Sequence, residues 1–242
     1  MRVLIQKIYR RIAAGIMLFT VEAILAILLF IGALMAFLTI AKYVFLDNKH
    51  EFDKAAFDFI AQYTDDATTK VMLFFTTFGN YQALVAANIL LTCYFLFIRW
   101  HKWYSIKIPS VALSSVIVMS ILKTLFNRSR PLMPLLEPAR GLSFPSGHAM
   151  SSVTFFGLLI YYVYRKQKNP TLKVLYISLL TSLILVIGIS RVYLRVHYAS
   201  DVLAGFCAGI IWLTIALWLL RKLEFYSKRN LDNIVEEIPK TS

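Results

Sequence analysis

Three short runs carry residue types and spacings suited to anion chemistry. The first is Lys123, six residues, then Arg130-Pro131. The second is Pro145-Ser146-Gly147-His148. The third is Ser190-Arg191, five residues, His197, three residues, Asp201. Taken singly, each has an ordinary explanation: a cation at a helix end snorkels, a Pro-Ser-Gly run makes a turn, and a lone histidine hydrogen-bonds. Taken together they describe a phosphoryl-transfer site. His197 and Asp201 are four residues apart, so on a helix the carboxylate accepts from one ring nitrogen and leaves the other as a nucleophile. His148, from a second helix start, is placed to protonate a leaving oxygen. Lys123, Arg130 and Arg191 would hold the equatorial oxygens on which charge builds. Ser146 is a natural N-cap, Gly147 permits a backbone conformation that other residues avoid, and the N–H groups behind them would point at a phosphate. No carboxylate cluster or His-x-x-His spacing suggests a metal, so neither metal nor cofactor is expected.

The elements that must carry these runs follow from composition. The 242 residues are 59% hydrophobic and 16% charged, against about half and about a quarter in an ordinary soluble domain. The apolar residues come in long blocks, which points to an integral membrane protein. Charge-free stretches give spans at 23–41, 81–98, 108–126, 149–164, 174–190 and 202–220, with a break at Gly79-Asn80 and 71–78 as a separate interfacial helix. The expected fold class is all-α: a six-transmembrane-helix bundle with an N-terminal amphipathic helix and short interfacial helices in the first outer loop. One domain covers 1–242, with an amphipathic lead-in at 1–22, the bundle at 23–220 and a loosely ordered tail at 221–242. In the lead-in, Lys7, Arg10 and Arg11 share one face while Leu4, Ile8 and Ile12 lie on another. In the outer loop, Phe52, Ala56, Phe59, Ile60 and Tyr63 recur at helical spacing behind Asp47 and Asn48 as caps, the pattern of a short helix lying on the membrane. Cys93 and Cys207 sit in apolar segments as packing residues, and Glu22 reads as a solvated or Arg-paired carboxylate.

The formal charge of +13 does not indicate a nucleic-acid partner, because the basic residues lie between apolar blocks. Sixteen of the 26 Lys and Arg residues fall on the side shared by the two termini and ten on the other. The excess makes the termini cytoplasmic and puts all three runs on the outer side of the cell membrane. Cations held at that depth need anionic company. The acids near the runs are Glu137 and Asp201, so an anionic substrate is expected to supply the rest. Arg128, Arg140, Arg195 and Glu137 read as solvated loop residues, with Arg195, two residues before His197, the candidate headgroup contact.

These runs resemble the motifs of the phosphatidic acid phosphatase type 2 superfamily, which includes integral-membrane lipid phosphatases and, more distantly, soluble vanadium haloperoxidases. Every motif position between Lys123 and Asp201 is present with its internal spacing intact. The resemblance implies that His197 forms a phosphohistidine, that His148 acts as general acid and then activates water, and that Asp201 orients the nucleophile. It implies phosphate binding by Lys123, Arg130, Ser146, Gly147 and Arg191. The implied activity is metal-independent hydrolysis of a lipid phosphate monoester or terminal diphosphate at the outer interface, as in bacterial phosphatidylglycerophosphatase or undecaprenyl pyrophosphate phosphatase members. Substrate and membrane lipids are the expected partners. A phosphotransferase using a polyprenyl diphosphate is the alternative, and a non-catalytic anion transporter is disfavoured by the lack of inverted repeats. The compact loops resemble bacterial members. The first 120 residues match no motif and are expected to wall the pocket.

Overall fold

The computed structural model of the chain describes residues 2–100, 102–135 and 140–236, with side chains described from residue 21 except for Lys102 and 228–236. Among the described residues every regular element is helical: α1 (Arg2–Ala41), α2 (Glu51–Ala61), α3 (Asp66–Thr77), α4 (Tyr81–Cys93), α5 (Lys102–Phe126), α6 (Gly147–Lys166), α7 (Pro170–Tyr193) and α8 (Ala199–Glu236). Single π-helical turns at Lys42–Leu46 and Tyr94–Ile98 extend α1 and α4. The segments Val21–Leu46, Tyr81–Ile98, Trp103–Phe126, Pro170–Tyr193 and Ala199–Ser227 are long and apolar enough to cross a membrane. Of the six expected spans, the remaining one corresponds to α6. Its twenty residues have the length, but Gly147, His148, Ser151, Ser152 and Thr154 lower its hydropathy. Those groups face inward, with Ser152 and Thr154 buried, because α6 packs against α4, α5, α7 and α8.

Among the described residues the most extensive helix contact is between α6 and α8. Gly205 and Gly209 are four apart on one face of α8, and their missing side chains let α6 lie directly on the helix. A Cβ on Gly205 would stand 2.7 Å from the Ser146 carbonyl oxygen and 2.9 Å from the Ala149 Cβ; one on Gly209 would stand 2.7 Å from the Val153 Cβ. The Ser146 N–H also donates to the Asp201 carbonyl at 2.9 Å. The second and third sequence runs are thereby joined backbone to backbone.

Several expectations change at the periphery. The lead-in is not a separate helix: α1 continues without a break from Arg2 to Ala41, about 60 Å at 1.5 Å per residue, or twice the hydrocarbon thickness. The faces assigned to Lys7, Arg10 and Arg11 lie outside the described side chains. The tail does not start at 221, since α8 runs to Glu236, tied to the bundle by Lys107–Glu224 (2.6 Å) and by Arg221 donating to the Tyr161 hydroxyl (2.9 Å). The outer loop holds two helices. α2 follows His50 without a side-chain cap, so neither Asp47 nor Asn48 caps it. Nor does it simply lie on the membrane. Ala56 and Ile60 of the expected stripe, with Phe57, pack on Val192, Ala199 and Val202, whereas Phe52, Phe59 and Tyr63 remain exposed. α3 starts at an Asp65 cap that accepts from the Thr68 N–H (2.9 Å), runs through the expected 71–78 segment, and ends at the Gly79-Asn80 break. Glu22 is paired with Arg165 at 3.2 Å.

A methyl group on Gly205 must push α6 away from α8, whereas one on Gly32 meets nothing within 4 Å. Gly205→Ala is therefore expected to destabilise the protein by about 1–3 kcal/mol, the usual cost of overpacking. Gly32→Ala, a gain in helix propensity, should not lower stability. Thermal unfolding of both variants in detergent is the check.

Candidate active site

The loop between α5 and α6 is anchored by an aromatic knot. The Phe144 ring, fully buried, meets Phe126 at 4.8 Å, Phe45 at 5.1 Å and Phe37 at 5.9 Å between centroids. Phe144 is held in the apolar interior, and Ser143 and Ser146 on either side of the Phe144-Pro145 pair are fully buried as well. The site forms around them, at the ends of α5 and α7 and the starts of α6 and α8.

His197 lies two residues before α8 begins and is buried. Its Nδ1 is 3.3 Å from the Ser143 hydroxyl and 3.6 Å from Asp201 Oδ2. The direct His–Asp hydrogen bond expected from the four-residue spacing is therefore too long, and Ser143 stands between the two. Ser143 donates to Asp201 Oδ2, which leaves its oxygen to accept the proton on His197 Nδ1. On the other side of the ring, Arg130 Nη1 lies 3.2 Å from Nε2. An N–H donor at Nε2 and an acceptor at Nδ1 assign the tautomer: the proton is on Nδ1 and the lone pair on Nε2. Burial pushes the His197 pKa down to about 4, against the pull of Asp201, so the ring is neutral at neutral pH.

The other residues predicted for the site converge here. Arg130 is fixed by Nε donating to the Gly141 carbonyl and Nη1 donating to the Val196 carbonyl, both at 2.9 Å, and burial lowers its pKa. Gly141 has φ +81°, a conformation that suits glycine. Lys123, in the last turn of α5, donates to the Leu142 carbonyl. Arg191 Nη1 donates to the Thr76 hydroxyl at 2.7 Å, while its Nε is buried without a partner. Ser146 caps α6 through a long 3.5 Å contact from the Ala149 N–H. Gly147 has no positive φ, so its role differs from the expected one. A Cβ there would lie 2.9 Å from Met119 Sδ, and the missing side chain is what lets α5 approach. His148 Nε2 donates to Asn80 Oδ1 at 2.8 Å. Below His148, a cavity of about 180 Å³ runs between α4, α5 and α6, lined by apolar side chains such as Leu84, Val111, Met119 and Leu158. Arg195 is half-buried at a left-handed turn (φ 54°), outside the described ion pairs.

Two residues contradict their predicted roles or were missed outright. Arg128 is no solvated loop cation. It is buried, donates to Asp201 Oδ1 at 2.6 Å and Asp53 Oδ2 at 2.8 Å, and lies over the Tyr198 ring at 4.0 Å. Asp53 is the acid missed by counting only Glu137 and Asp201. It is buried on α2 and accepts from the Ser200 N–H (2.8 Å) and hydroxyl (2.7 Å). A signal existed, since Asp53 falls with Phe57 and Ile60 at i, i+4 and i+7 on the face that packs inward. Thr76, Asn80 and Ser143 had no such mark. Arg140 is exposed, and Glu137 lies outside the described residues.

The chain is similar to known proteins in sequence and fold. A model of the PAP2 superfamily matches residues 104–225, half of the chain and all three runs. The chain belongs to the PAP2 superfamily. It is 30% identical over 144 residues to phosphatidylglycerophosphatase B of Bacillus subtilis, covering 59% of this chain and 70% of that protein. It is 29% identical over 93 residues to lipid phosphate phosphatase delta of Arabidopsis thaliana, 37% of this chain but only 22% of that protein's length. The crystal structure of a transmembrane PAP2-type phosphatidylglycerolphosphate phosphatase from Bacillus subtilis superposes with a TM-score of 0.70 at 22% identity, over 88% of this chain and 98% of that one, a likeness of fold. Aquifex aeolicus LpxE gives 0.53 at 25% identity, over 66% and 92%. As a PAP2 protein, this chain thus has relatives named as lipid phosphatases.

Ser143 links His197 to Asp201. Removing a hydrogen bond to a charged group, about 1.5–3 kcal/mol, predicts that Ser143→Ala lowers kcat roughly 10- to 100-fold. Steady-state assays alongside thermal unfolding would separate that loss from loss of folded protein.

Proposed function

We propose that this protein is a membrane phosphatase that removes phosphate from a lipid phosphate monoester or terminal diphosphate at the outer face, through a phosphohistidine on His197. The observation that carries the proposal is a charge imbalance around a neutral histidine. Lys123, Arg130 and Arg191 surround His197 and His148, none of the three is in an ion pair among the described residues, and Arg191 Nε is buried without an acceptor. Such a cluster is stabilised by a bound anion. A phosphate supplies oxygens for all three cations and for the first turn of α6.

His197 Nε2 attacks phosphorus with its lone pair, and the proton on Nδ1 stays shared toward Ser143 and Asp201 as the ring becomes cationic. The bond from phosphorus to the lipid oxygen breaks, and His148, made cationic by the bound phosphate anion and keeping its Nε2 proton on Asn80, delivers the proton on its other ring nitrogen to that oxygen. Neutral His148 then takes a proton from water, whose oxygen attacks phosphorus and breaks the P–N bond, returning His197 and releasing phosphate. The apolar cavity between α4, α5 and α6 suits the lipid part of such a substrate. With α6 as the sixth crossing, both termini lie on one side, and the sixteen-to-ten distribution of cations makes that side cytoplasmic.

Purified protein assayed with phosphatidate, phosphatidylglycerol phosphate and undecaprenyl pyrophosphate tests the reading. Phosphate release without an added acceptor, and in the presence of a chelator, is the expected result. A requirement for an acceptor lipid would favour phosphotransfer. His197→Ala should lower the rate by at least about 10³-fold in folded protein; a folded variant with wild-type activity would sink the mechanism. The nucleophile also has a pH mark. His197 is competent only when neutral, so activity is lost as pH falls through about 4, its lowered value, rather than through the 6.5 of an ordinary histidine. That limb in kcat/KM lies below the one near pH 6 from the substrate's own second ionisation, and substrates of different phosphate pKa distinguish them.

A further inference from the structure

We propose that Asp53 and Arg128 are positioning residues for the reaction, which makes the outer-loop helix α2 a working part of the active site. The proposal rests on the phosphatase reading above. Its starting point is the complete engagement of the Asp201 carboxylate. Oδ2 accepts from Ser143 and from the Tyr198 N–H at 2.9 Å, and Oδ1 accepts from Arg128 Nη1 at 2.6 Å. The Arg128 contact is the one that stops the carboxylate from rotating, because the other donors all approach Oδ2. Through Ser143, that orientation decides which nitrogen of His197 carries the proton.

Arg128 must itself be held. It is two residues from Arg130 and, as a guanidinium beside an anion site, would be drawn to a bound phosphate. Asp53 opposes this. Its Oδ2 takes Arg128 Nη2 at 2.8 Å, while both of its oxygens are locked to Ser200 at the start of α8. Tyr198 closes the face of the guanidinium. Arg128 Nη1 reaches the Ser200 hydroxyl as well, at 2.8 Å, so α2, the loop after α5 and the first turn of α8 share one closed set of contacts. Asp53 lies outside the residues matched by the family model, which makes this pairing a contribution of the chain's own first outer loop. The structure also separates Asp53 from an ordinary packing tie, because α2 has independent apolar contacts through Ile60.

The test compares Asp53→Asn, Arg128→Lys, their double variant and Ile60→Ala in detergent, with a short-chain phosphatidate as substrate. Asp53→Asn keeps shape but weakens the hold on Arg128; Arg128→Lys keeps the charge but cannot bridge two acids. Each is expected to lower kcat about tenfold or more with KM within about twofold, since neither touches substrate. The double variant should fall no further than about the worse single one, because both act through one network. Ile60→Ala should lower the melting temperature while leaving kcat in place. The proposal is overturned by wild-type kcat in folded Asp53→Asn, by a loss expressed mainly in KM, by losses that multiply in the double variant, or by an equal kcat loss in Ile60→Ala. Should Asp53→Asn fail to fold, Arg128→Lys decides by the same kcat and KM criteria. An inactive wild-type protein would instead remove the phosphatase reading, whereas active wild type with unaffected variants removes only this proposal.

Discussion

A guanidinium closed on two carboxylates and nearly shut off from solvent is the contact on which the end of the bundle around His197 depends. Asp53, Arg128 and Asp201 are 2%, 9% and 0% exposed. In that setting each partner is obligatory, because an ion left alone in a low-dielectric interior typically costs about 3–5 kcal/mol. The chain must therefore bring α2, the loop after α5 and the start of α8 together in one arrangement. The consequence reaches the chemistry: with Asp201 held on both oxygens, Ser143 is oriented, and His197 presents Nε2 toward Arg130 and the site.

A second constraint operates on the other side of His197, where there is too much positive charge. Lys123, Arg130 and Arg191 gather there, and no described acid pairs with them. They are held by neutral acceptors, the carbonyls of Gly141, Leu142 and Val196 and the Thr76 hydroxyl. Neutral acceptors orient a cation without neutralising it, so its attraction for an incoming anion is retained. The contrast with Arg128 is instructive. Two arginines separated by one residue take opposite roles, one neutralised by acids and one kept available, because of what faces them across the bundle.

Much of the fold and the central site could be read along the chain. Apolar blocks place the middle of each long helix, although α1 and α8 run well past the expected spans, and the break at Gly79-Asn80 ends α3 where turn chemistry says it should. The three runs contain the residues that gather around His197, because their chemistry is unusual enough at a membrane edge to stand out. Other features were illegible for identifiable reasons. The place of Asp53 on the inward face of α2 did not reveal its partner, and Arg128 looked like one more loop cation, since each acquires its meaning from the other across 75 positions. The continuation of α8 past Leu220 depends on Glu224 and Arg221 finding Lys107 and Tyr161, again a contact between distant residues.

The sequence alone determined the class of the protein, an all-helical membrane chain of the PAP2 superfamily, and marked the charged and histidine residues that gather around His197. These rest on hydropathy, charge sign and functional-group chemistry, which are properties of residue types and local spacing. Only the tertiary structure decided how those residues are held. It placed Ser143 between His197 and Asp201, set Asn80 against His148, paired Arg128 with Asp53 and Asp201, and showed that Gly147 admits the approach of α5 without a left-handed backbone. The physical reason is range. A hydrogen bond or buried ion pair is settled within about 3 Å in space, and whether two residues come that close is a property of the whole packed bundle.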